Sequence, residues 1–473
     1  MLKILPDNLK TLLNHKVVKA GSWYTLTEFF LKGVAFLTIP IFTRLLSTAD
    51  YGIVALYQAW VSIFTILITL DLKVSIGRAK FDFKETYNQY VSSVAFLSLI
   101  IFFIFLIIFL LFTPNFLNLT QLSPFLFFLM VFQAYFLFIQ NYAINKFRFE
   151  YKYKLVSILS ILVVISGILF SIYLIINIFE TNKYLGQILG KSSFIIFGGF
   201  CFLLYLFYQG KEFINYKYWK YALALSIPMV FHSISRIIND QFDRILINKY
   251  VDTSSTGIYS FAYNIGVIVT VLLAATAQAW VPWFYEKMEK KEYLKIKYNA
   301  NIYRNIFTYV YAGILFLSPE LIRIMAQESY WQGLNLIPWI FMAGYFNFMC
   351  NFELNTQFFM KKMSLVSLGT ILSAIVNIIL NIIFIPKYGY EAAAITTVIS
   401  FLFLFLFHYI ITTKILKKVI YGIKFHLVSI FYVSTITILF ILFQNLLFAR
   451  LILIIIFSLF FFFSLKSSLA KSD

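Results

Sequence analysis

The sequence predicts an all-α polytopic membrane protein of about fourteen transmembrane helices, and three observations lead there. Of 473 residues, 61% are apolar, against roughly 45–50% in an ordinary soluble chain. Charged residues make up 12%, about half the usual share. The apolar residues also recur in blocks of about 20, the length a helix needs to cross ~30 Å of hydrocarbon. These figures exclude a disordered chain, a disulfide scaffold and a soluble enzyme with a solvated surface.

Helices are expected at 17–43, 51–72, 90–113, 122–144, 154–179, 184–208, 219–246, 255–284, 300–319, 333–359, 363–386, 390–413, 425–445 and 449–465. Lysine and arginine in the connections set the orientation. Alternate segments are lysine-rich: Lys3, Lys10, Lys16 and Lys19 at the start, then Lys73, Arg78, Lys80 and Lys84, and so on to Lys466 and Lys471. The intervening connections hold at most one basic residue each: Arg44, Lys183, Lys249, Arg323, Lys387 or Arg450. This alternation predicts an even span count with both termini in the cytoplasm. The first apolar block, from Val17, is too long and too polar within to be a cleavable signal peptide. Cys201 and Cys350 fall inside apolar blocks and are expected to be free thiols.

The net charge of +19 sits in short loops without a nucleic-acid-binding motif, so no nucleic-acid partner is expected. The longest hydrophilic connection, about Lys287 to Ala300, is too short for a soluble domain. No GxxxxGK[ST], HExxH or CxxC motif occurs, and His15, His232, His408 and His426 are scattered. An enzyme with a recognisable catalytic constellation or metal site is not expected.

The stretch LLSTADYGIVALYQAW (45–60) between spans one and two has a partner in YVDTSSTGIYSFAYNI (250–265) between spans seven and eight. Thr48, Gly52 and Ile53 match Thr253, Gly257 and Ile258. Six intervening helices give both copies one orientation, a parallel repeat about an axis along the membrane normal. The expected lobes are 1–210 and 211–418, with 419–473 as two additional helices.

Ionisable side chains at the bilayer centre cost on the order of 3 kcal/mol and are expected to face a bundle interior or a wet cavity. Glu28 and Lys32 share a face of span one. His232, Arg236, Asp240, Asp243 and Arg244 draw a polar stripe down span seven. Lys191 lies in span six, Arg304 in span nine and Glu353 in span ten, and Asp71 ends span two. A central cavity lined by both halves is one reading. The other is intrahelical pairing of Glu28 with Lys32 and of Arg236 with Asp240, with Lys191 and Arg304 snorkelling to the headgroups. Asn347, Asn351 and Asn355 fit interhelical hydrogen bonding as well as substrate contact. Trp280 and Trp283 read as interface anchors.

The segment GSWYTLTEFFLKGVAFLTIPIFTRLLSTADYGIVALYQAW (21–60) resembles the opening of the polysaccharide biosynthesis (Wzx-type) flippases of the multidrug/oligosaccharidyl-lipid/polysaccharide exporter superfamily. A helix ending in PIFTRLLS, followed by an acidic-Tyr-Gly step, carries the likeness. The resemblance implies two six-helix lobes and a cationic cavity. The cargo it implies is an undecaprenyl-diphosphate-linked oligosaccharide, of an O-antigen, capsule or related surface glycan, moved from the cytoplasmic to the outer leaflet of a bacterial inner membrane by alternating access. Fourteen helices occur in that superfamily, although many polysaccharide flippases have twelve.

A diphosphate carries about two negative charges, and guanidinium and ammonium groups can replace its hydration. Lys32, Arg236, Arg304 and Lys191 are the candidates to bind it. Glu28, Asp71, Asp240, Asp243 and Glu353 are candidates for gating or for binding a coupling H⁺ or Na⁺, and no other cofactor is expected. Expected partners are the lipid-linked oligosaccharide, membrane lipids and a glycan polymerase of the same pathway. A multidrug/cation antiporter of the same superfamily is the alternative, though its cavity should be dominated by carboxylates. A membrane glycan polymerase or ligase fits less well, for want of a long outer loop.

Overall fold

The computed structural model describes residues 16–469; Lys3, Lys10, His15 and Lys471 lie outside them, as do the side chains of Lys16, Lys19 and Lys466. Each apolar block is one helix. In order these are α1 Lys16–Leu45, α2 Thr48–Leu67, α3 Tyr87–Leu111, α4 Pro124–Phe149, α5 Tyr153–Asn177, α6 Lys183–Gly210 and α7 Tyr216–Tyr250. They continue as α8 Thr253–Glu289, α9 Tyr293–Met325, α10 Ile337–Phe359, α11 Met363–Tyr388, α12 Glu391–Ile410, α13 Ile423–Phe443 and α14 Leu447–Leu469. No strand occurs among the described residues. Twelve of the fourteen are long and apolar enough to cross a membrane by length and composition. In α10 the run is interrupted by Asn347, Asn351, Glu353 and Asn355, and the described apolar part of α14, Leu447–Leu459, is shorter.

The connections depart from the sequence reading where charge was taken for loop. The Lys287–Ala300 segment is almost wholly helical: α8 runs to Glu289 and α9 starts at Tyr293. Glu286 pairs with Lys290 one turn on, at 2.7 Å, an i,i+4 contact that supports helix beyond the apolar span. Span two ends earlier than expected, at Leu67. Leu70 and Asp71 then take left-handed backbone conformations and lead into a 3₁₀ turn, Leu72–Ser75, and the short helix Ile76–Asp82.

The two copies of the repeated junction do one physical job. Ser47 caps α2 in a reciprocal box with Asp50, and Asp252 caps α8 by accepting from the Ser255 N–H at 2.6 Å. Such caps satisfy backbone donors that a helix start leaves unpaired.

The chain divides into two compact units, residues 1–237 and 238–473. The division falls inside α7, whereas the sequence places it in the loop at 210/211. In the first unit α6 packs on α5, α4 and α3, and α2 packs on α4. Glycine makes the α5–α6 approach possible: a Cβ on Gly190 would lie 2.4 Å from the Ser171 Cα. In the second unit α12 packs on α11 and α10, and α8 packs on α10, repeating part of that pattern six helices later. There the likeness stops, because α9 packs instead on α13 and α14. The last two helices are therefore built into the second unit.

Candidate functional site

The charged helix α7 serves both units. Its first half belongs to the first, where Ser233 donates to Asp71 at 2.7 Å. Asp71 is buried and also pairs with Lys73 at 2.9 Å. Its second half belongs to the second unit, where Asp243 is buried among α8, α11 and α12. The Asp243 carboxylate accepts from the Tyr259 hydroxyl at 2.5 Å, Asn381 Nδ2 at 2.6 Å and Thr397 Oγ1 at 3.0 Å. Asn381 also donates to Asn377 Oδ1 at 3.1 Å and accepts from Thr396. The result is one buried carboxylate with two hydroxyls and an amide donating to it, the partners a buried polar group requires. Arg244 turns the other way, donating to the Asp240 carbonyl at 2.7 Å with its guanidinium over the Tyr263 ring.

Neither intrahelical ion pair forms. Glu28 instead meets Arg148 of α4 at 3.2 Å. Lys32 and Arg236 are exposed, and Lys191 is half-buried in α6 with its ammonium 5.3 Å from the Phe42 ring centre. None of the three has an ion-pair partner among the described residues.

Arg304 is differently placed. It is buried, with two of its nitrogens on Asn305 Oδ1 at 2.9 and 3.1 Å and a third on the Phe425 carbonyl at 3.3 Å. The Phe425 and Tyr432 rings flank it. The next residue of α13, His426, faces Glu353, so Arg304 and Glu353 each contact the start of α13.

Several participants escaped the sequence reading. Asn377 and Asn381, four apart in an otherwise apolar helix, were a legible signal for a polar face. Tyr259, Thr396 and Thr397 carried none. Asn351 donates to the Asn347 carbonyl of its own helix at 2.7 Å, which is not the interhelical bond expected. Trp280 is buried rather than interfacial: Tyr303 and Phe352 pack on it at 4.9 and 5.6 Å between ring centres. Cys201 and Cys350 are free thiols, as expected.

Residues 17–288, more than half of the chain, match the family described as polysaccharide biosynthesis protein. The chain belongs to that family. A Haemophilus influenzae relative, "Lsg locus putative protein 1", is 22% identical over 371 residues, covering 77% of this chain and 90% of that protein. The fold of this family member is similar to that of the lipid II flippase MurJ, with a TM-score of 0.67 at 17% identity, covering 94% of this chain and 99% of MurJ. An inward-facing MATE family multidrug resistance transporter of the MOP superfamily is similar with a TM-score of 0.57 at 13% identity, over 85% of this chain and 98% of that one. The expected all-helical fold of about fourteen helices is the one observed.

Proposed function

We propose that this polysaccharide biosynthesis family member is a flippase for an undecaprenyl-diphosphate-linked oligosaccharide repeat unit of an O-antigen, capsule or related surface glycan. It moves that cargo from the cytoplasmic to the outer leaflet of a bacterial inner membrane by alternating access, with both termini in the cytoplasm. Family membership supports a role in surface-glycan assembly, and the likeness to a lipid II flippase supports a lipid-linked cargo. The observation that carries the reading is that three cations within the spans, Lys32, Lys191 and Arg236, have no ion-pair partner among the described residues. A diphosphate headgroup gives such cations their missing counter-charge, with Arg236 able to bind it bidentately. Arg304, committed to Asn305 and Phe425, acts in packing.

Asp243 is the proposed coupling site. One buried carboxylate facing two hydroxyls and an amide nitrogen suits a single monovalent ion, H⁺ or Na⁺, which enters by displacing one of those three donors. A cation-drug antiporter is the poorer reading, because partnerless cations repel a cationic drug.

The test is surface glycan in cells carrying substituted protein. Arg236→Ala abolishes surface glycan at unchanged protein level, and Arg236→Lys retains part of it. Normal glycan from both Arg236→Ala and Lys32→Ala contradicts the cargo assignment.

A further inference from the structure

A second basic feature lies in the first unit, lined by none of the residues given a role in transport. The short helix Ile76–Asp82, the start of α3, the connection between α4 and α5 and the end of α6 enclose a cleft of about 520 Å³. That is within the usual range of ligand sites, ~300–1,000 Å³. The cleft opens among the lysine-rich connections that the charge alternation assigns to one membrane face.

Its lining is rich in donors. Lys80, Lys84, Lys152, Asn88, Gln209 and Tyr87 all contribute to it. Tyr87 is the telling member: only 3% exposed, its hydroxyl has no hydrogen-bond partner. A buried polar group left unpaired calls for an explanation, and this one lines a cavity. Lys80 stands 4.5 Å over the Tyr87 ring, and neither Lys80 nor Lys84 has an ion-pair partner among the described residues.

Acidic groups are present but outweighed. Glu150 is held between Lys146 at 2.7 Å and Lys152 at 2.6 Å. Lys146, 1% exposed, sits behind the lining and also donates to Gln209 Oε1 at 2.8 Å. Glu85 sits among the lining residues. Lys80, Lys84, Lys146 and Lys152 against Glu85 and Glu150 leave an excess of two positive charges. The walls are also fixed: a Cβ on Gly210 would lie 2.2 Å from the Asn88 carbonyl oxygen, so α6 and α3 touch backbone to backbone here.

We propose that this cleft binds a phosphate-bearing anion, with Lys80 and Lys84 supplying charge and the Tyr87 hydroxyl donating to a phosphate oxygen. The phosphate belongs either to the headgroup of an anionic phospholipid or to a free phosphate species, and both present the same chemistry. The site goes beyond the transport reading and shares no residue with it.

The experiment uses the full-length protein purified in neutral detergent. Inorganic phosphate is titrated while thermal unfolding is followed, and native mass spectrometry compares retention of phosphatidylglycerol with phosphatidylcholine. The expected result is saturable stabilisation by phosphate, selective retention of phosphatidylglycerol, or both; which arm responds identifies the source. The combined Lys84→Gln and Tyr87→Phe variant, which removes one charge and one hydroxyl without opening the core, weakens the responding arm about tenfold. Lys295→Gln, a same-type change in the second unit, leaves it unchanged. The proposal is overturned if neither ligand binds the wild type, if the double variant binds equally well, or if Lys295→Gln loses as much.

Discussion

His426 of α13 places its Nε2 3.0 Å from the Glu353 carboxylate of α10, and both side chains are buried. Phe405, Tyr409 and Phe425 pack around the imidazole at 5.0–5.2 Å between ring centres. Two further polar ties hold the last helices: Arg304 donates to the Phe425 carbonyl, and Arg450 of α14 grips Glu320 of α9 with two nitrogens, at 2.5 and 2.6 Å. Removing one partner of a buried polar contact leaves the other unmatched, at a cost of ~1–3 kcal/mol. His426→Ala is thus expected to lower the thermal unfolding midpoint of the purified protein strongly. The Glu353→Gln, His426→Gln double variant, in which two amides replace the carboxyl and the imidazole, recovers part of the loss.

The same three ties predict the outcome of truncation. A chain ending at Lys418 leaves Arg304, Glu320 and Glu353 facing the places of α13 and α14. Such a protein is expected not to accumulate in the membrane, as read by immunoblot of membrane fractions. Normal accumulation would mean that the two helices are a dispensable appendage.

Glu150 gives a pH prediction outside the spans. Burial alone raises its carboxyl pKa, but hydrogen bonds from Lys146 and Lys152 outweigh that and hold it below the usual carboxylate range. A carboxylate whose folded pKa is lowered contributes stability above its unfolded pKa and loses it as pH falls through the folded value. The contribution is full at neutral pH and disappears only below the ordinary glutamate range, ~4.3. Glu150→Gln is expected to flatten the acid limb of thermal stability against pH, and an unchanged limb would deny the pairing its role.

Asp243 predicts a separation of folding from coupling. Asp243→Asn keeps an acceptor for Tyr259 and Thr397 but removes the charge. The variant is expected to stay folded while its transport loses dependence on Na⁺ or on the proton gradient, whichever drives the wild type. Retained dependence in a folded Asp243→Asn protein would move the coupling ion elsewhere.

Legibility followed the range of the physics. Helix positions were readable because each span buries its own backbone polar groups and must be apolar along its length. The charge within a helix was readable for the same reason, so Asp243 and Arg304 stood out. Their partners were not, because Asn381, Thr397 and Phe425 come from distant segments. Phe425 contributes a backbone carbonyl, which no residue type announces. Glu28 looked paired to Lys32 by spacing, yet it reaches Arg148 on another helix. The Lys287–Ala300 segment misled in the opposite sense: lysines mark where the membrane ends, and a helix can continue past that point.

The central claim is that a diphosphate-linked glycan crosses the membrane on Lys32, Lys191 and Arg236. The direct measurement is flipping of a labelled undecaprenyl-diphosphate oligosaccharide in proteoliposomes, read by the fraction of headgroups that an added impermeant reagent reaches over time. The wild type is expected to equilibrate the label across the bilayer, and a folded Lys32→Ala, Lys191→Ala, Arg236→Ala variant to leave it near the protein-free rate. Equal rates for the variant and the wild type, or a wild type no faster than empty vesicles, would contradict the account.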